Sequence, residues 1–244
     1  MKNSFCIFGA TSGIGLDFVK KNLKKNKIYC IGQNFTELEK FVKKNKCKKN
    51  FIKIKTDLRK ISSFNIYKKI KNKLDFILIA SGSHAHNIVK YLDNNLYDDI
   101  LNINLNNPVK IISKLYSLNK INKGANLIFI GSINGSKTYV PGSLAYGVSK
   151  SGLKSACKYF AVEMSNDDIK VNLISPGMVK TPLIKKATHL SSEVIKKDKK
   201  KYILGKDYLS TKVILKTINF LISKEQTNIT GEEIIVDSGY TLNK

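Results

Sequence analysis

The sequence predicts an α/β fold: a doubly wound parallel sheet of about seven strands with helices on both faces, in a single domain. Three observations predict it. Short apolar runs alternate with longer stretches whose apolar residues recur at helical spacing. The runs are apolar throughout, as strands covered on both faces are. At 244 residues and 42% hydrophobic, the chain can fill one large core.

Taken in order, Ser4–Phe8 is a short apolar strand, Gly9–Gly15 a glycine-rich turn, and Leu16–Lys25 a helix. Lys27–Ile31 is the second strand. Thr36 and Glu39 have the spacing of a capping box for a helix through Phe41. Phe51–Lys55 is the third strand, Phe64–Lys71 a helix, and Phe76–Ile79 a fully apolar fourth strand. Leu96–Leu118 reads as one helix with a local kink at Pro108, which has no N–H to donate. Ala125–Ile130 is the fifth strand, Ala145–Met164 a long helix, and Lys170–Ile174 the sixth strand, ended by Pro176-Gly177. Leu183–Leu204 is lysine-rich and weakly periodic, so a mobile substrate lid is expected at about 183–205. Thr211–Leu221 is a helix and Glu233–Val236 the last strand.

The net charge of +25 invites a nucleic-acid reading. The cations argue against it. Of the 43 basic residues only Arg59 is arginine, and the other 42 are lysines spread along the whole chain. Bidentate recognition of phosphates and base edges favours arginine. Nucleic acid is therefore disfavoured as a partner. No apolar run reaches the roughly 20 residues of a membrane span, so a soluble, cytoplasmic protein is expected. The four cysteines have no metal-ligand or redox spacing and read as buried thiols. His84, His86 and His189 read as solvated loop residues, and no metal site is expected.

The first strand runs into Gly9-Ala10-Thr11-Ser12-Gly13-Ile14-Gly15, and a helix begins there. Gly9 permits the sharp turn, Gly13 leaves room for a pyrophosphate, and Gly15 lets the helix pack closely. Free N–H groups at the helix start then suit phosphates. The pattern is that of a Rossmann-like dinucleotide site. At the end of the second strand, where NAD-binding chains carry a carboxylate for the ribose, the run is Gly32-Gln33-Asn34. This favours NADP, with NAD as the alternative, and Ser12, Gln33 and Asn34 as donors to the extra phosphate.

Tyr146 and Lys150 lie four apart on the long helix, and so on one face. An ammonium beside a phenol lowers the phenol pKa from about 10 toward working pH, which suits a general acid or base at a carbonyl or alcohol. Ser132 sits just past the fifth strand, where open parallel sheets hold ligands, and its hydroxyl can meet developing charge on a substrate oxygen. Asn104 could hold a water that relays protons to Lys150.

These motifs together resemble the short-chain dehydrogenase/reductase family. Gly9-x-x-x-Gly13-x-Gly15, Asp57-Leu58, Asn104-Leu105, Ser132, Tyr146-x-x-x-Lys150 and Pro176-Gly177 stand in its order, and the ending Ile229-Thr230-Gly231-Glu232…Val236-Asp237-Ser238-Gly239 is similar to that of 3-oxoacyl-carrier-protein reductases. The resemblance covers essentially the whole chain. It implies reversible carbonyl reduction or alcohol oxidation by hydride transfer. Tyr146 would be the acid/base, with Lys150 tuning it and binding the nicotinamide ribose. Ser132 would orient the carbonyl, and Asn104 would support the relay. It also implies that Asp57 and Leu58 border the adenine, Ser81 and Gly82 the ribose, and Pro176, Gly177, Val179 and Thr181 the nicotinamide. A dimer or tetramer through the long helices is implied as well.

The chain departs from the family at Ala80, where an asparagine usually steadies the loop, at Gln33, and at Ser238. Asp167-Asp168 stand where carrier-protein reductases tend to be basic, with Lys120 and Lys123 as possible compensation. A sugar or polyol-type carbonyl substrate is the first alternative. A non-catalytic cofactor-sensing or nucleic-acid-associated protein is the second. A nucleotide-sugar epimerase is disfavoured by glycine spacing and length.

Overall fold

The computed structural model describes residues 2–60, 65–187, 191–223, 225–226 and 228–243. Its seven strands are β1 (Ser4–Phe8), β2 (Lys27–Gly32), β3 (Phe51–Lys55), β4 (Leu74–Ile79), β5 (Ile121–Ile130), β6 (Lys170–Pro176) and β7 (Glu233–Val236). They pair in the order β3-β2-β1-β4-β5-β6-β7, all parallel. The chain winds outward from β1 to β3, then returns to β4 on the other side. The order therefore reverses between β1 and β4, the crevice where such sheets bind ligands.

Strand β1 shows why helices cover both faces. Phe5 and Ile7 pack into one core with α1 (Gly13–Asn22) and α9 (Thr211–Leu221). Cys6 and Phe8 point the other way, into a second core with α5 (Asn107–Ser117) and α6 (Leu144–Glu163). Successive strand side chains alternate in direction, so an all-apolar strand needs two covers. Each fully buried aliphatic or aromatic side chain contributes roughly 1.5–3 kcal/mol.

Several elements differ from expectation, each for a local reason. Helix α1 starts at Gly13, so two of the three glycines lie in its first turn. In α2 (Thr36–Lys44) Thr36 is the first helical residue and makes no capping box. Asn34 Oδ1 accepts the Thr36 N–H instead, and Glu39 is drawn to Lys53 on β3 at 2.6 Å. The short helix α3 (Ile66–Lys69) is all of the Phe64–Lys71 expectation that is seen, and 61–64 lie outside the described residues. Strand β5 starts four residues early, because an irregularity in its pairing with β4 and a left-handed Gly124 hide the first part of the strand from the pattern.

The Leu96–Leu118 helix is two helices, α4 (Asn94–Leu101) and α5, joined by a π-helical turn over Asn102–Asn106. Pro108 has no N–H for the carbonyl of Asn104, so the α ladder cannot run through and the chain widens there. The 183–205 segment contains α7 (Pro182–Ala187) and α8 (Ser192–Lys200). Residues 188–190, with His189 and Leu190, lie outside the described residues. Its far end is anchored: Tyr202 is fully buried and its hydroxyl accepts the Met178 N–H at 2.7 Å.

Candidate active site

The expected site residues gather at the C-terminal edge of the sheet: Gly9 follows β1, Gly32 ends β2, Asp57 follows β3, Ser81 follows β4, Ser132 follows β5 and Pro176 ends β6. The glycines are dictated by contact. A methyl group on Gly9 would meet the Ala80 carbonyl and Ser81 N at 2.7 Å, and φ there is +76°. On Gly15 it would meet the Gly9 carbonyl oxygen at 2.3 Å. On Gly13 it would lie 3.2 Å from Thr181 Cγ2, so Thr181 closes over the loop. Thr11 packs its side chain on Gly32, and Ile14 packs on the core.

This cradle suits a dinucleotide. The Ser12 side chain makes no cap hydrogen bond to α1, which leaves first-turn N–H groups for an anion. Ser81 Oγ is buried with no partner among the described residues, as a group waiting for a ligand hydroxyl would be. Asp57 is already engaged: Arg59 clamps its carboxylate through Nε and Nη2 at 2.6–3.1 Å, and that hydrogen bond lowers its pKa. Leu58 is buried, its carbonyl held by Asn107. Of the three candidate phosphate donors, Asn34 has its Oδ1 committed to α2. Gly82 is exposed, Gly177 N–H donates to Val236, and Val179 is buried beside Leu209.

On the other side of the crevice, Ser132, Tyr146 and Lys150 come together. The Ser132 hydroxyl, whose Oγ accepts the Asn134 N–H at 3.1 Å, faces the Tyr146 phenol closely enough to lower its pKa. Lys150 Nζ lies 5.6 Å from the Tyr146 ring centroid and donates to the Ile130 carbonyl at 2.9 Å. The electrostatics correct the sequence expectation. Burial pushes the Tyr146 phenol up, and the Ser132 hydrogen bond only partly offsets this. Burial pulls Lys150 down to about 8. In this arrangement the ammonium is bonded to a carbonyl. The phenol is protonated at neutral pH and can donate.

Asn104 is fully buried within the π-helical turn. Its Oδ1 accepts Ser83 N–H at 2.7 Å, and its Nδ2 donates to the Ser83 carbonyl at 3.0 Å and to Ser149 Oγ at 2.9 Å. Ser149 Oγ in turn donates to the Tyr146 carbonyl at 2.7 Å. The side chain is therefore a clamp between the loop after β4 and α6. Both of its N–H groups are engaged, so a water could use only the remaining lone pair on Oδ1.

His84, read from the sequence as a solvated loop residue, is half-buried against the start of α6. Its ring stands edge-on to the Tyr146 ring, centroids 5.0 Å apart, and Nε2 is 3.0 Å from Ser143 Oγ. Burial and the neighbouring His86 lower its pKa. The only sequence signal was its place two residues after Gly82, in a loop at the ligand edge. The Arg59 clamp on Asp57 is a local pairing, two residues apart, that residue type and spacing did not single out.

A family model described as Enoyl-(Acyl carrier protein) reductase matches residues 9–241. A 3-oxoacyl-[acyl-carrier-protein] reductase of Buchnera aphidicola subsp. Acyrthosiphon pisum is 29% identical, with 96% of this chain and 95% of that protein covered. Its counterpart in Buchnera aphidicola subsp. Schizaphis graminum is 30% identical, covering 98% and 97%. Among solved structures, a 4-hydroxyisoleucine dehydrogenase complexed with NADH is 25% identical, with a TM-score of 0.87 and full coverage of both chains.

Proposed function

The chain belongs to the short-chain dehydrogenase/reductase family of oxidoreductases, and from that membership we propose that it reduces a 3-oxoacyl thioester with NADPH. The observation that carries the reading is Tyr146: a half-buried side chain whose phenol is pushed up by desolvation, and so is protonated at neutral pH, facing Ser132 with Lys150 behind it. A protonated phenol is the form that carbonyl reduction needs.

Gly9, Gly13, Gly15 and the first turn of α1 would hold the pyrophosphate, Asp57 and Leu58 the adenine, and Ser81, Gly82 and Lys150 the riboses. Pro176, Gly177, Val179 and Thr181 would border the nicotinamide. A bound nicotinamide would supply the hydride that the carbonyl carbon accepts. Ser132 donates to the carbonyl oxygen and Tyr146 Oη gives it a proton, yielding the alcohol. Lys150, at about 8, can take and return protons near neutral pH to restore the phenol. Asn104 keeps the loop after β4 in register with α6.

NADPH is favoured over NADH because no carboxylate ends β2, and the parallel register sets Lys55 beside Gly32. The resemblance to two 3-oxoacyl reductases over nearly the whole chain supports the thioester. Lys120 and Lys123 give no help in docking an acidic carrier: Lys120 binds the Ile70 carbonyl and Lys123 pairs with Asp167 at 3.5 Å, at the opposite end of the sheet. The segment at 183–205 would close over the substrate, hinged on the buried Tyr202. A homo-oligomer is part of the proposal, since α6 leaves Val148, Tyr159 and Val162 exposed. So is a cytoplasmic location, where reduced nicotinamide and the four free thiols are at home.

A fluorescence titration with NADPH and NADH at moderate salt comes first, followed by turnover of acetoacetyl-coenzyme A against a panel of sugars and polyols. Tight NADPH binding with thioester turnover supports the reading. Turnover of sugars alone replaces the substrate, and binding of neither cofactor removes the enzyme reading.

A further inference from the structure

Among the described residues, four buried side-chain polar atoms lack a partner, and three of them belong to Ser81, His84 and Asn87. The loop after β4 is thus packed tightly against the site while its polar groups are incompletely used. Its contacts run to one place, the start of α6. Asn87 N–H donates to the Gly142 carbonyl at 2.8 Å, the His86 ring lies against Gly142, and His84 Nε2 meets Ser143 Oγ. At the other end Asn104 grips both the N–H and the carbonyl of Ser83. The loop is a strap fixed on both sides of His84.

We propose that His84 is a positioning residue for Tyr146: strapped to Ser143, its ring edge holds the phenol at its reacting angle. The centroid distance of 5.0 Å and interplanar angle of 67° are those of a favourable edge-to-face pair. The Nε2 hydrogen bond to Ser143 stops the imidazole from turning. With Nδ1 buried and bare, the imidazole is neutral, carrying its proton on Nε2 for Ser143, because a buried N–H without a partner is the rarer defect. A neutral ring adds no charge beside Lys150, so its contribution is orientation alone. Tyr146 also faces Ser132 at its hydroxyl and Lys150 at its ring, and its carbonyl accepts from Ser149 Oγ. A ring free to swing would carry the proton away from the carbonyl.

This inference rests on Tyr146 being the proton donor, so Tyr146→Phe is run beside it. The assay measures kcat and KM for acetoacetyl-coenzyme A, NADPH affinity by fluorescence, and Tm. His84→Ala is expected to lower kcat about 10- to 100-fold, the usual penalty for misplacing a reacting group, with KM for NADPH, its affinity and Tm little changed. His84→Phe, which restores a ring edge without the hydrogen bond to Ser143, should recover part of kcat, to about the level of Ser143→Ala. Ser143→Ala should lower kcat in the same direction and add little to His84→Ala. Should His84→Ala fail to fold, His84→Asn replaces it. Full kcat in His84→Ala with an inactive Tyr146→Phe overturns the positioning role alone. Equal loss in the Ala and Phe variants also overturns it, since the imidazole itself would then be required. Full activity in Tyr146→Phe overturns the proton-donor reading, and this inference with it.

Discussion

The two sides of the crevice are built from different materials. The cofactor side, around β1 and β2, is made of main chain: glycines that no methyl group could replace, and the open N–H groups of α1. The catalytic side, around β4 to β6, is made of buried and half-buried side chains whose protonation depends on everything packed about them. The first kind of site is fixed by geometry and tolerates a change of surroundings. The second is tuned, and its chemistry is set by burial as much as by residue type.

Breaking the catalytic side should leave the cofactor side standing. Tyr146→Phe removes the proton donor and only one oxygen atom, so steady-state kcat should fall at least about 10³-fold, while the NADPH affinity stays within about twofold. Breaking the cofactor side should do the reverse. In Gly15→Ala the new methyl would sit 2.3 Å from the Gly9 carbonyl oxygen, so α1 must shift. Overpacking of this kind costs about 1–3 kcal/mol, visible as a lower Tm, and NADPH affinity should drop about tenfold or more. A Gly15→Ala protein with normal affinity would show that the cradle is looser than its contacts imply.

The same contrast explains what was legible in the sequence. Gly9, Gly13 and Gly15, and the pair Tyr146 and Lys150, were legible because fixed spacing along a turn or helix carries their meaning. So was the two-faced sheet, since apolar strands demand two covers. What depended on distant chain was not. Glu39 should cap its own helix, but β3 brought Lys53 within reach. His84 reads as a loop residue until α6 is folded against it. The state of Tyr146 is not legible for the same reason: its spacing to Lys150 is visible, whereas the burial that raises its phenol is tertiary.

A subtler change on the cofactor side tests its selectivity. Gln33→Asp would place a carboxylate at the end of β2. It should repel a 2′-phosphate and bind a free ribose hydroxyl, shifting preference from NADPH toward NADH by about 10- to 100-fold, or roughly 1.4–2.8 kcal/mol. Parallel fluorescence titrations with both cofactors measure it. No shift would mean that the cofactor does not lie against Gln33.

The smallest effect is the most telling about tuning. Lys150 is 5% exposed and its pKa falls from 10.5 to about 8. Between those values the unfolded chain holds more protons on this residue than the folded one, so stability rises with pH across that window. Below about pH 8 the buried charge destabilises the fold by an amount on the order of 3 kcal/mol. The hydrogen bond to Ile130 remains in place. Lys150→Met removes that penalty and leaves the Ile130 carbonyl unpaired at a cost of about 1–2 kcal/mol. At pH 7 the variant should therefore be about 1–2 kcal/mol more stable in urea unfolding, and inactive. The gain should vanish as pH rises toward 10.5. The other lysines titrate in the same range, so the observable is the difference between the two proteins at each pH. A variant less stable than the parent at pH 7 would mean that the lysine is settled in its pocket, and that its burial is structural rather than a strain kept for catalysis.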